Sequence, residues 1–269
     1  MATQTPSRRP SSRPVAKARA EIGTRTLRRD AYWVQPALTA FGLLAFVVYS
    51  TFRAFQGKYF FSEPYLSPFY SPCLSSKCAP APHLSILPTF WIITAAIYIV
   101  IFPLGFRLTC YYYRKAYYRS FWLSPPACAV AEPHKKYTGE TKFPLIFQNI
   151  HRYFFYIAVI FCFILTWDAL IAFNFNGSFG IGLGTIILLI NAALITLYTI
   201  SCHSCRHITL GRLNHFSKHP MRYKAWTLVS RLNSRHMQLA WASLIWVGLT
   251  DLYIALVAAG TITDPHWVA

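Results

Sequence analysis

Acidic side chains are what this sequence has least of. Eight Asp and Glu stand among 269 residues against 26 Lys and Arg, and charged residues make up only 13% of the chain. Water-facing domains carry about 25% charge, so this shortage excludes an ordinary soluble surface. No nucleophile–base motif of a hydrolase is present. No internal repeat of the kind transporters show is visible either, which leaves alternating access without support. Residues 1–30, rich in Ser, Pro and Arg, lack the short apolar core of a signal peptide. They are expected to form a disordered, basic cytoplasmic tail.

What the chain has instead is apolar length. Hydrophobic residues make up 55% and aromatics 17%, gathered in runs of about 20, enough to cross a ~30 Å hydrocarbon layer. Five runs stand out, roughly Trp33–Ser50, Ile86–Cys110, Pro144–Phe173, Phe179–Cys202 and Met237–Ala259. The reading is an all-α integral membrane protein, a bundle of five transmembrane helices over residues 31–262, with a short external tail at 263–269. Pro103 predicts a kink in the second span, and residues 223–232 read as an interfacial helix.

The net charge of +18 suggests nucleic acid, but its placement does not. Counting Lys and Arg, residues 1–30 hold eight, 107–152 eight and 204–236 seven, against three in 51–85 and none in the remaining external segments. That ratio, 23 against 3, follows the positive-inside rule and puts the N-terminus in the cytoplasm and the C-terminus outside. The charge is a topology signal, and no nucleic-acid partner is expected.

Chemistry-bearing residues gather on the inner side. Ser201-Cys-His-Ser-Cys-Arg-His207 packs Cys202, His203, Cys205 and His207 into six residues at the end of the fourth span. Thiolates with imidazoles are the ligands of zinc and of iron–sulfur centres. At about 100° per residue, Cys202 and Cys205 share one helix face and His203 and His207 another, so a straight helix cannot give all four to one small centre. Either the helix unwinds after Cys202, or one pair is used and the other ligands come from Cys110, Cys128, His151 or His236, which the topology brings to the same depth. Two Cys on one iron and two His on the other would make a Rieske-type [2Fe–2S] centre. Cys205-Arg-His207 matches half of the usual soluble Rieske spacing; the other half is missing. Structural zinc in a membrane scaffold is the alternative that fits the same ligands.

Other residues carry weaker signals. The segment 111–122 is aromatic and basic, as an inner interface anchor would be. It also suits a quinone, with Arg114, Tyr117, Arg119 and Trp122 as stacking and hydrogen-bonding candidates. Asp168 and Asp251 lie within spans, where a carboxylate is costly and faces a bundle interior or water; both are candidates for a proton path. Asn191 is expected to bond a neighbouring helix, and Cys162 to be a packing residue. Cys73 and Cys78 face the oxidising side, which suggests an external disulfide.

Cys110-Tyr-Tyr-Tyr-Arg-Lys-Ala-Tyr-Tyr-Arg-Ser-Phe-Trp122, Pro125-Pro-Ala-Cys128, Asn149-Ile-His-Arg-Tyr-Phe-Phe155 and the Cys202–His207 stretch together resemble the membrane anchor of actinobacterial-type succinate:quinone oxidoreductases. The resemblance covers roughly residues 30–260. It implies a multi-pass subunit of the plasma membrane and a succinate dehydrogenase flavoprotein carrying FAD. It also implies an iron–sulfur protein docked on the inner face, and electron delivery to a membrane quinone, menaquinone in such organisms. Five-helix anchors of this superfamily commonly hold two haems b on helix histidines. The first two spans here contain no His, so haem is not expected, and the Cys/His group becomes the natural electron relay.

Overall fold

The computed structural model describes residues 30–74, 94–130, 132–133, 141–143, 145–211 and 213–269. Nearly all of the expected tail, Cys78 and the start of the second expected span, residues 86–93, lie outside them. Eight α-helices are described: α1 (Val34–Gln56), α2 (Ala95–Thr109), α3 (Tyr111–Phe121), α4 (His151–Ile171), α5 (Leu183–Ile200), α6 (His203–Leu210), α7 (Pro220–Asn233) and α8 (His236–Ala258). Four of the helical stretches are long and apolar enough to cross a membrane: α1, 145–171, α5 and α8. A fifth crossing is made by α2 with α3 only if that pair, bent by 77°, counts as one. The interfacial helix expected over 223–232 is α7, with Pro220 in its first turn, where its missing N–H costs nothing.

Core and lipid faces separate as membrane packing requires. Along α8, Ala240, Ser243, Leu244, Val247, Thr250, Asp251 and Ile254 are buried, a stripe at three- and four-residue spacing. Its small members let helix backbones approach. Gly105 of α2 does the same against α4: a Cβ there would stand 2.2 Å from the Phe154 ring. Large apolar side chains such as Phe41, Phe52 and Phe163 are exposed, on faces that suit lipid. α5 packs between α4 and α8, while α2 packs on α4.

Five short strands amend the all-α expectation. After α1 ends at left-handed Gly57 (φ 59°), β1 (Phe61–Ser62) pairs with β2 (Tyr65–Leu66). Between α4 and α5, β3 (Asn174–Phe175) and β4 (Ser178–Gly182) form a hairpin around Asn176 and Gly177, both at positive φ, as a two-residue turn of this kind demands. The chain's last segment, expected as a plain tail, is β5 (His266–Val268), which pairs with β4. Tyr65 joins the two sheets by donating to Asp264 at 2.7 Å. Burial and that carboxylate together raise its phenol well above the usual tyrosine range.

The same end holds a buried ion pair. Arg53 near the end of α1 donates through Nε to Asp251 Oδ2 at 2.6 Å and through Nη2 to Oδ1 at 3.2 Å. Tyr49 donates to Oδ2 at 2.6 Å, and Ser67 donates to Oδ1. The guanidinium also reaches the Lys58 and Tyr59 carbonyls. Removing one partner of such a pair strands the other charge and costs about 3–5 kcal/mol, whereas replacing both by apolar residues is often neutral. Asp251→Ala should therefore lower the thermal midpoint in detergent sharply, and Arg53→Met with Asp251→Leu should recover most of the loss.

Candidate functional site

Two helices leave the regular backbone in the same way. α2 ends at Thr109, and Cys110 turns extended (φ −64°, ψ 131°) before α3 begins. α5 ends at Ile200, and after Ser201 the chain turns at Cys202 (φ −65°, ψ 147°) before α6 begins. Each break carries a hydroxyl residue followed by a cysteine, and all four side chains are buried. Opposite them stand the first residues of two spans, His151 of α4 and His236 of α8.

The contacts between these residues are crossed. Thr109 Oγ1 lies 2.8 Å from His151 Nδ1, while its neighbour Cys110 places Sγ 3.3 Å from His236 Nε2. Ser201 Oγ lies 2.7 Å from His236 Nδ1, while Cys202 Sγ lies 3.0 Å from His151 Nε2. Each imidazole is thus held at one nitrogen by a hydroxyl and faces a thiol with the other. Phe106 stacks on His151 with centroids 4.9 Å apart, and Tyr198 stacks on His236 at 5.1 Å. Among the described residues no three His, Cys, Asp or Glu side chains gather around one point. The donors arrive as two Cys–His pairs, within one buried cluster that contains both cysteines.

A cavity of about 340 Å³ adjoins this group. Its walls are almost wholly apolar and come from α1, α2, α4, α5 and α8, with Phe69 toward the sheet end and Phe106, Arg107 and Tyr198 toward the Cys/His pairs. Arg107 lies over the Tyr198 ring at 4.8 Å and donates to Tyr113 OH at 2.7 Å and Ser243 Oγ at 3.2 Å. The rings that stack on the two histidines therefore also wall the cavity.

The stretch Cys202–His207 does not act as one ligand group. The helix does unwind at Cys202, and the consequence is that the following residues turn away on α6. His203 and His207 are exposed and Cys205 is half-buried, with its thiol raised by that burial. His207 is taken by Arg152, and Cys128 is exposed. The structure brings together Cys202 with Cys110, His151 and His236, three of the four alternatives named from sequence.

The other candidates separate similarly. Arg114, Tyr117, Arg119 and Trp122 lie on or just after α3 and do not line the cavity. Tyr117 donates to the Leu108 carbonyl and accepts from Gln148, Arg114 lies over the Tyr111 ring, and Trp122 is exposed. Asp251 is consumed by its ion pair, and Asp168 accepts from Ser71. Both carboxylates thus fasten the 57–74 segment to the bundle, a structural use where a proton path was expected. Asn191 is buried without a hydrogen-bond partner among the described residues. Cys162 is buried and contacts Thr199, and Cys73 is disulfide-bonded. Thr109, Ser201, Phe106, Arg107 and Tyr198 were not anticipated; the hydroxyl–Cys dipeptide at the same end of two spans was the signal available.

No curated protein sequence matches the chain. A family model described as actinobacterial succinate dehydrogenase subunit SdhC matches residues 34–260. A chain of the Mycobacterium smegmatis Sdh1 complex in the apo form is 58% identical to this one with a TM-score of 0.83, the match covering 93% of this chain and 96% of that one. On these matches, the chain belongs to the actinobacterial SdhC family, membrane subunits of succinate dehydrogenase.

Proposed function

We propose that this subunit anchors a flavoprotein carrying FAD and an iron–sulfur protein at the inner membrane surface. It receives electrons from the latter and delivers them to a quinone through a membrane-embedded [2Fe–2S] centre of the Rieske type. The observation that carries the reading is the meeting of Cys110, His151, Cys202 and His236 from four different elements. Two buried thiols and two imidazoles are the Rieske donor set. A Rieske cluster spreads its four protein donors over two irons, both thiols on one and both imidazoles on the other, so the donors need not meet at a single point. Tetrahedral zinc needs four around one point, which makes a zinc scaffold the poorer fit. When bound, such a centre passes single electrons, at a potential raised by its imidazole ligands.

The chain's own residues supply the rest. Phe106 and Tyr198 put one aromatic ring between the near end of the cavity and His151 or His236. Arg107 is placed to donate to a carbonyl oxygen there, and the apolar walls suit a quinone's isoprenoid tail. Menaquinone is the expected occupant, and its reduction to the quinol takes two electrons and two protons. The inner segments carry 23 of the 26 Lys and Arg, a surface complementary to an acidic soluble partner. Arg53, one of the three on the outer side, is neutralised by Asp251, which sharpens the asymmetry behind an inside N-terminus.

Two measurements test this. In the purified complex, Cys110→Ser and Cys202→Ser should each remove the imidazole-ligated EPR signal and about two iron atoms per complex, while Cys205→Ser should leave both. Zinc in place of iron in the unaltered complex would sink the reading. Arg107→Met should weaken quinone reduction by roughly 10–100-fold, the loss of a charged hydrogen bond of about 1.5–3 kcal/mol, and should leave succinate-to-dye activity of the soluble subunits intact.

A further inference from the structure

We infer that Thr109 and Ser201 are positioning residues that lock both histidines in one tautomer and thereby select Nε2 as the metal-binding nitrogen. The inference rests on the reading of Cys110, His151, Cys202 and His236 as the [2Fe–2S] site.

A hydroxyl group has one proton to donate. Thr109 gives its proton to the Gly105 carbonyl at 2.7 Å, and Ser201 gives its own to the Tyr198 carbonyl at 2.9 Å. Each oxygen also lies within hydrogen-bond distance of a histidine Nδ1, 2.8 Å for His151 and 2.7 Å for His236. With its proton committed to the helix, the oxygen can only accept, so both Nδ1 atoms carry hydrogen. A neutral imidazole has a single N–H, which leaves the lone pair on Nε2. Nε2 is the atom that faces the thiol in both pairs, 3.0 Å from Cys202 and 3.3 Å from Cys110.

The crossing gives the device its economy. Thr109-Cys110 supplies a hydroxyl to His151 and a thiol to His236, and Ser201-Cys202 does the reverse. A shift of either helix end would disturb both histidines at once. A group that accepts from the non-ligating N–H raises the basicity of the ligating nitrogen. It thus favours the oxidised centre and lowers its reduction potential.

The test is a redox titration followed by EPR on the whole complex, with Thr109→Val, Ser201→Ala, both together, and Thr109→Ser as the conservative control. Thr109→Val and Ser201→Ala should each shift the potential upward, the pair should shift it further, and Thr109→Ser should return it to the unaltered value. Iron should be lost to a chelator more readily, by roughly 10–100-fold in affinity as for other partners of metal-bound histidine. Succinate-to-dye activity should not change. Should Thr109→Val fail to assemble, Ser201→Ala reads His236 by itself. Cluster-bearing variants with an unaltered potential and unaltered iron retention would overturn the tautomer assignment alone. An unaltered complex without an imidazole-ligated signal would overturn the [2Fe–2S] reading and this inference with it.

Discussion

Hydrocarbon gives a backbone almost no freedom: an N–H or C=O without a partner costs several kcal/mol, so a chain crossing it stays helical unless the irregular stretch is buried in protein. The breaks at Cys110 and Cys202 meet that condition. At each, the cysteine N–H is satisfied by the carbonyl three residues back, Arg107 at 3.1 Å and Thr199 at 3.2 Å. Its own carbonyl starts the next helix, accepting from Arg114 at 2.9 Å and Arg206 at 3.2 Å. Turning the chain therefore leaves little unpaired, and it frees a thiol and a hydroxyl to point sideways into the bundle, where a continuous helix would have kept them on its own surface.

The two ends of the bundle are built on different terms. Toward the Cys/His pairs, polar groups from α2, α4, α5 and α8 meet across helices, and aromatic rings separate them from an apolar cavity. At the opposite end, the 57–74 segment is fastened to α4 through Ser71 and to α8 through Ser67, and three strands tie the chain's last residues to the α4–α5 connection. The Cys–His pairs stand at one end and the fastening contacts at the other. The cavity reaches from Phe69 at one end to Phe106, Arg107 and Tyr198 at the other.

Four of the five spans, a helix over residues 223–232 and the approach of Cys110, His151, Cys202 and His236 were legible, because apolar run length and residue placement are properties of short stretches. The ligand grouping was less so. Four donors in Cys202–His207 outweighed the scattered Cys110, His151 and His236 in a linear reading, since sequence proximity is visible and a 77° bend is not. The sequence also showed no repeat of the transporter kind. Yet one order of elements occurs twice: an apolar helix, a hydroxyl–Cys break, one or more short helices, and a span led by histidine. It runs from α2 to α4 and again from α5 to α8. An aromatic four residues before the Cys, Thr/Ser directly before it and His at a helix start recur in register, which is too little for similarity of sequence but enough for similarity of construction. Asp251 was recognised as exceptional by its position, and its partner Arg53, 198 residues away, could be found only in the fold.

The pairing of Arg53 with Asp251 has an electrical consequence. A respiring membrane holds a potential that does about 2.3 kcal/mol of work per elementary charge for each 100 mV. With opposite charges 2.6 Å apart, the field sees a short dipole, and the forces on its two halves nearly cancel. Energising the membrane does not pull this fastening apart. Neutralising either residue alone would leave a monopole that the voltage can drive, so the damage already measurable in detergent would grow with the very gradient that respiration builds.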